Sequence, residues 1–90
     1  MTLALPAKLN IAEASAALPA LVSAAAQGSG ALVVDASALK TFDSAAIATL
    51  LELRRRAPGR EFSVSGAPAA MIDLATMYGV AELLGFKPLA

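Results

Sequence analysis

The sequence predicts a small α/β domain in which α-helices pack on a mixed or parallel β-sheet. Short runs of apolar or alternating residues, typical of strands, are separated by longer stretches with apolar residues at helical spacing. The predicted order is strand, helix, strand, helix, strand, helix with short connections, which favours right-handed crossovers. At 90 residues, the chain is predicted to form a single domain over residues 1–90.

The first strand and helix are predicted from capping and alternation signals. Thr2 to Leu5 alternates polar and apolar side chains, as an edge strand does. Asn10 with Glu13 three residues later resembles a capping box, which predicts a helix from Ile11 to Ala26. Pro19 lies inside this stretch, so the helix is expected either to kink there or to begin later.

The middle of the chain contains the clearest strand. Ala31 to Val34 is an uninterrupted apolar run ending at Asp35, which predicts a central strand of a parallel sheet. A polar turn then leads to Asp43, a suitable N-cap for a second helix. Arg54 to Arg56 would lie at the negative end of that helix dipole. The residues predicted to share the apolar stripe of this helix are Ile47, Leu50 and Leu51.

The last third predicts one more strand and a short helix. Glu61 to Ser65 alternates as a strand does, and Pro68 is a suitable N1 residue for a helix that ends at Gly79. The side chains predicted to face the core from this helix are Met71, Ile72, Leu74, Ala75 and Tyr78.

The composition excludes several classes of function. Seven basic and seven acidic residues give no excess positive charge for binding nucleic acid. The chain has no cysteine or histidine, which removes thiolate metal sites and the commonest catalytic base, so neither a metal nor another cofactor is expected. No apolar stretch approaches the ~20 residues that span a bilayer, and the sequence predicts a cytoplasmic protein without direct membrane insertion.

The polar turn between Asp35 and the second helix is the best candidate for a site. The carboxyl ends of parallel strands and the N-termini of the following helices meet at one edge of a sheet, so Ser44 is expected to be exposed there. Two interpretations of this segment are open. Ser44 is either a contact point for a partner or a phosphorylation site, or Asp43 and Ser44 only cap the helix. Lys40 is the one base close in sequence, which does not suffice to predict an enzyme.

The same segment resembles the STAS domain family. STAS domains typically have an apolar strand that ends in Asp, followed by Asp-Ser or Asp-Thr at the start of the next helix. Asp35, Asp43 and Ser44 match this pattern. The similarity is greatest to the MlaB-like STAS subunit of the Mla phospholipid ABC transporter, and it extends over Thr2 to Leu9, Glu61 to Ser65 and Leu74 to Val80.

The resemblance implies a non-enzymatic, cytoplasmic accessory subunit that docks onto the ATPase subunit of an ABC transporter. Such a subunit supports the assembly and activity of a transporter that maintains outer-membrane lipid asymmetry, and it is peripheral to the inner membrane through its partner. With Ser44 at the centre, the partner-binding residues are predicted to be Lys40, Thr41, Phe42, Asp43, Ser44, Ile47 and Thr49.

Two other functions stay open for a STAS-like domain. One is an anti-sigma-factor antagonist regulated by phosphorylation of Ser44, and the other is a small-ligand or nucleotide sensor that uses the helix N-terminus. Many STAS domains have a glycine where this chain has Ala45 and Ala46, which stiffens the helix start and favours docking over phosphorylation. The N-terminal strand is expected to be shortened, which leaves a sheet edge for another chain or a homodimer.

Overall fold

Residues 1–87 are described by a computed structural model. The strands are β1 (Thr2–Ala4), β2 (Lys8–Leu9), β3 (Leu32–Asp35), β4 (Thr41–Phe42), β5 (Phe62–Ser65) and β6 (Phe86–Lys87). The helices are α1 (Ile11–Gln27), α2 (Ser44–Arg55), α3 (Ala69–Met77) and α4 (Ala81–Leu84). Residues 88–90 of the predicted single domain lie outside the described residues. No helix in the described part of the chain is both long enough and apolar enough to cross a membrane.

The main sheet has four parallel strands in the order β1, β3, β5 and β6. Strand β3 has a neighbour on each side, which explains its continuous apolar run. The register pairs Ala4 with Asp35, Asp35 with Ser65, and Ser65 with Lys87, so these residues share the carboxyl edge of the sheet. The predicted α/β fold with a parallel sheet and packed helices is confirmed.

A second, two-stranded sheet positions the starts of two helices. Strands β2 and β4 run parallel and pair Lys8 with Thr41 and Leu9 with Phe42. Each strand leads almost directly into a helix, β2 into α1 and β4 into α2. The two helices therefore begin side by side. Neither strand was predicted, because two residues are too few to show an alternating pattern.

One apolar cluster between the main sheet and the helices forms the core. Its largest fully buried side chains are Leu9, Leu32, Leu50, Leu53, Met71, Leu84, Val34 and Val64. Burying a side chain of this size stabilises the fold by about 1.5–3 kcal/mol relative to leaving it exposed. Buried alanines such as Ala14 and Ala46 complete the cluster.

Helix α1 runs without interruption from Ile11 to Gln27 and includes Pro19. The prediction that it could begin after the proline is therefore wrong. Proline has no N–H to donate to the carbonyl of Ser15. Pro19 is exposed, so water can bond to that carbonyl and the helix tolerates the lost hydrogen bond.

The last helices differ from the prediction at their ends. Pro68 is the N-cap of α3 and not its N1 residue. Met71 and Ala75 are fully buried as predicted, but Tyr78 is 52% exposed. Tyr78 lies outside the predicted buried stripe because α3 ends at Met77 and the chain turns at Tyr78, which is the C-cap.

Strand β6 follows a glycine that the backbone requires. Gly85 has a φ of 62°, a left-handed conformation that ends α4 and turns the chain toward β5. A Cβ atom at this position would lie 3.0 Å from the carbonyl oxygen of Phe62. The close approach lets Phe86 and Lys87 add a final strand to the sheet, which was not predicted.

Candidate functional site

Asp43 fixes the beginnings of two helices with one carboxylate. Its Oδ1 atom accepts the backbone N–H of Ala45 at 2.8 Å, which is the predicted N-cap of α2. Its Oδ2 atom accepts the backbone N–H of Ile11, the first residue of α1, at 3.2 Å. A negative group is also favoured by both helix dipoles at this point. The second bond joins residues 32 positions apart, and local sequence patterns could not reveal it.

A second carboxylate stabilises the start of α1. Glu13 accepts the backbone N–H of Asn10, the N-cap residue, at 3.2 Å. The other oxygen of Glu13 lies 3.9 Å from the Nζ atom of Lys8. Both helix starts are therefore held by side chains of the protein itself.

Ser44 is the first residue of α2 and is exposed. In the sequence it lies between Asp43, the N-cap residue, and Ala45, whose N–H donates to the carboxylate of Asp43. Ala48 follows one turn later on the same side of the helix and is also exposed. The Ser44 hydroxyl therefore lies on an open surface that continues along α2.

The remaining predicted partner-binding residues fall into two groups. Lys40 and Thr41 are exposed, and Phe42 is half-buried with its ring against the core. Ile47 is 2% exposed and Thr49 is 4% exposed, so both side chains are buried and neither is open at the Ser44 surface.

The hydroxyl of Thr49 forms a hydrogen bond within its own helix. Its Oγ1 atom donates to the carbonyl oxygen of Ala45 at 2.8 Å. A partner at the Ser44 surface would find this group already satisfied and nearly inaccessible. Its part in the site is to help form the floor of the groove described next.

A shallow groove of about 340 Å³ lies between α1 and α2. Three lining residues are alanines, whose small side chains leave space between the helices. Ser44 precedes the lining residue Ala45, so the groove begins in the same turn of α2 as the exposed hydroxyl. The residues that line the groove are Ala14, Ser15, Leu18, Ala45, Ala48, Thr49 and Glu52. The sequence pattern gave no sign that α1 and α2 leave a groove between them.

The far end of the groove carries a charge cluster around Glu52. Arg55 donates from Nε and Nη2 to the two carboxylate oxygens, each at 3.0 Å. Arg56 donates from Nε to Oε2 at 2.7 Å. These hydrogen bonds lower the pKa of Glu52 to about 2, and the same contact raises the pKa of Arg55. Two guanidinium groups share one carboxylate, so the cluster has a net positive charge.

Asp35, which matches the STAS pattern, orders the turn before β4. Its Oδ1 atom accepts the backbone N–H of Ser37 at 2.9 Å. Hydrogen bonds from the side chain and the backbone of Ser37 lower the pKa of Asp35. The turn also bonds to the main sheet through the N–H of Ala36 and the carbonyl of Ser65, at 2.8 Å. Asp35 therefore holds in place the segment that leads to Lys40.

A second cavity of about 290 Å³ lies beside the C-terminus of α2 and is lined by polar groups that include Arg54, Arg60 and Glu82. The guanidinium of Arg60 is held by two carbonyls, Gly30 at 2.6 Å and Ala25 at 2.7 Å. None of the predicted site residues lines this cavity. Within residues 1–87, no three side chains of the metal-binding types form a group that could hold an ion.

The amino-acid sequence was compared with known protein families and with curated proteins. No curated protein gives a significant match to the sequence. A family model described as "Mlab, STAS domain" matches residues 1–85. The matched segment includes Asp35, Asp43, Ser44 and both helices of the groove. The chain therefore belongs to the STAS domain family, in its MlaB-like branch.

Proposed function

We propose that this domain is an accessory subunit that docks onto the ATPase subunit of a phospholipid ABC transporter. STAS domains in general are small, non-enzymatic regulatory modules that mediate protein–protein interactions. Membership of the MlaB-like branch supports the finer assignment to a transporter. The domain would support assembly and activity of the transporter, while other subunits handle the lipid.

The proposal rests on one observation. Ser44 is exposed at the start of α2, next to Asp43, whose carboxylate binds the first turns of both α1 and α2. A surface fixed in this way loses little conformational freedom when a partner binds, so more of the contact free energy contributes to affinity. The surface combines a hydroxyl, the half-buried ring of Phe42 and the alanines of α2. This mixture suits a protein partner better than a small polar substrate.

The proposed location follows from the proposed partner. The domain would lie in the cytoplasm and reach the inner membrane only through the ATPase subunit. Its contribution to outer-membrane lipid asymmetry would be indirect, by keeping the ATPase assembled and active.

Co-purification with the transporter ATPase is the decisive experiment. A tagged chain is expressed with the ATPase subunit of the phospholipid ABC transporter from the same organism, and the complex is isolated and its ATP hydrolysis measured. We expect a stable complex that Ser44→Arg disrupts. Ala70→Arg introduces the same side chain at an exposed position of α3 and should not disrupt it. An ATPase that neither binds the chain nor changes in activity would exclude the proposal.

The second candidate is an anti-sigma-factor antagonist controlled by phosphorylation of Ser44. The exposure of Ser44 at the positive end of the α2 dipole favours it, since a phosphate there is stabilised by the dipole. The adjacent carboxylate of Asp43 opposes it by charge repulsion. Partner binding that is lost only on phosphorylation would support this candidate over transporter docking.

The nucleotide-sensor alternative has less support. An anion at a helix N-terminus needs free backbone N–H groups. In α2, the N–H of Ala45 already bonds to the carboxylate of Asp43. The anion position is therefore filled by the protein's own side chain.

A further inference from the structure

An exposed apolar side chain continues the groove between α1 and α2. Ile11, at the start of α1, is 72% exposed. Ile11, Ser15 and Leu18 follow one another at helical spacing and so share one side of α1. Ser15 and Leu18 line the groove, and Ile11 lies one turn before Ser15, at the end of α1 that Asp43 binds. Ile11 and the apolar lining of the groove together give a contiguous apolar surface, which is typical of a binding site.

The dimensions of the groove suit a helix. On α2 the groove runs from Ala45 to Glu52, two turns or about 10 Å. Its floor contains Ala14 and Thr49, and its walls are helices. A partner strand would gain no backbone hydrogen bonds from such walls, whereas a helix satisfies its own backbone and needs only apolar contact.

The charges around the groove differ between its two ends. At the Ser44 end, the positive charge of the exposed Lys40 is offset by Asp43, which keeps its negative charge because the two groups that donate to it are neutral backbone N–H groups. At the other end, Arg55 lies two turns after Ala48 on the same side of α2 and shares the carboxylate of Glu52 with Arg56. Two guanidinium groups and one carboxylate leave a net positive charge there. The unbalanced charge that a partner would meet therefore lies at the Arg55 end.

We infer that this groove receives an amphipathic helix of the partner, with about two turns of apolar contact and acidic side chains at the Arg55 end. The inference rests on the proposed function, in which the partner is the transporter ATPase, and it adds the chemistry of the partner segment. The apolar side chains fill the space over Ala45 and Ala48. The acidic side chains approach Arg55 at one end only, which fixes the direction and register of the helix.

The test uses the purified ATPase and a substitution that fills the groove. Ala48 is exposed, so Ala48→Arg should fold normally while it places a long charged side chain in the contact. We expect the Kd for the ATPase to rise about 30-fold or more, as for a residue at the centre of an interface. Ala70→Arg on α3 is the matched control and should leave the Kd unchanged. Thermal unfolding of both variants checks that each is folded.

The charge component is tested separately. Arg55→Glu should slow association with the ATPase and weaken the salt dependence of the association rate. A salt dependence that stays as in the unsubstituted chain would overturn the acidic assignment.

Failure of the inference and failure of the proposed function give different results. If Ser44→Arg disrupts the ATPase complex and Ala48→Arg does not, the groove is not used and the inference fails while transporter docking stands. If the ATPase does not bind at all, the groove is tested with two synthetic helical peptides. Both have the same apolar face, and their flanks carry Glu in one and Lys in the other.

Tighter binding of the Glu peptide, lost in Ala48→Arg, would support the inference without the ATPase. Equal binding of both peptides would overturn it. Self-association of the chain that disappears in Ala48→Arg would assign the groove to a second copy and would also overturn it.

Discussion

The carboxylate of Asp43 accepts the backbone N–H of Ile11 at 3.2 Å and so ties the start of α1 to the N-cap of α2. The same carboxylate accepts the N–H of Ala45 at 2.8 Å. One carboxylate therefore joins the start of α1 to the start of α2, where Ser44 lies. In the family pattern of Asp followed by Ser, Asp43 stabilises the two helix starts, and Ser44 is exposed to a partner.

The first prediction concerns the two bonds of Asp43. Asp43→Ala should lower the free energy of unfolding by about 2 kcal/mol, since both N–H groups lose their acceptor. Asp43→Asn should cost less, because its amide keeps one acceptor oxygen. Urea unfolding of the variants measures these differences.

Ile11→Pro isolates the bond to α1. Proline is favoured at N1 and removes only the N–H, and the extended backbone of Asn10, with ψ of 179°, is compatible with a following proline. In a double-mutant cycle with Asp43→Ala, which removes both acceptor oxygens, we expect a coupling of about 0.5–1 kcal/mol. A coupling of zero would show that the 3.2 Å contact contributes nothing to stability.

The second prediction separates docking from stability at Ser44. Ser44→Arg and Ser44→Asp should weaken the complex with the ATPase, because each places a charge in a contact that loses water. Ser44→Ala should have a smaller effect. All three should leave the thermal midpoint nearly unchanged, since the cap is supplied by Asp43 and not by Ser44. A large drop in stability would instead assign Ser44 to capping.

The sequence predicts what depends on neighbouring residues. The buried strand at Leu32 to Asp35 and the Asp43 cap both follow from patterns within a few positions, and the structure agrees with them. The bond from Asp43 to Ile11 depends on the pairing of β2 with β4, two strands of two residues each. Strands this short have no readable periodicity, and the site that they assemble was predicted only in part.

Two other differences have equally local causes. Tyr78 continues the helical spacing of α3, but the chain leaves the helix one residue earlier and exposes the ring. The groove arises because alanines on two helices happen to face each other across a gap. A sequence pattern marks alanine as compatible with close packing and cannot tell a filled contact from an open one.

The third prediction tests the buried position of Thr49. Thr49→Val should change the free energy of unfolding by less than about 1 kcal/mol, since the lost bond is a single one within the helix. Binding to the ATPase should not change, because Thr49 is only 4% exposed. Thr41→Val alters the same chemical group at an exposed position and should affect binding more. A Thr49 variant that folds normally but binds weakly would mean that the partner reaches this hydroxyl.

The fourth prediction concerns Arg60, which joins distant parts of the chain. Its guanidinium donates to the carbonyls of Ala25, in the last turn of α1, and of Gly30. Arg60→Met should lower the free energy of unfolding by about 1–2 kcal/mol, because it removes two hydrogen bonds from a charged donor. Arg54→Met is the control, and at this exposed position the change should stay within about 0.5 kcal/mol. Equal effects would show that the Arg60 contacts are not stabilising.

The last prediction is a pH dependence that arises at Glu52. Its pKa in the folded protein is about 2, lowered from 4.5 by hydrogen bonds from Arg55 and Arg56. A carboxyl with a lowered folded pKa stabilises the protein above its unfolded pKa and loses this contribution as the pH falls through the folded pKa. The contribution of Glu52 should thus be complete above pH 4.5 and disappear between pH 4.5 and about 2.

Glu52→Gln should therefore be less stable than the unsubstituted chain near neutral pH, with the difference shrinking as the pH approaches 2. Urea unfolding at a series of pH values measures it. Replacing both Arg55 and Arg56 with glutamine should flatten the acid limb in the same way, because the pKa shift originates with these two donors. If Glu52→Gln still changed the pH dependence of stability when Arg55 and Arg56 were both replaced, another group would have to be lowering the pKa of Glu52.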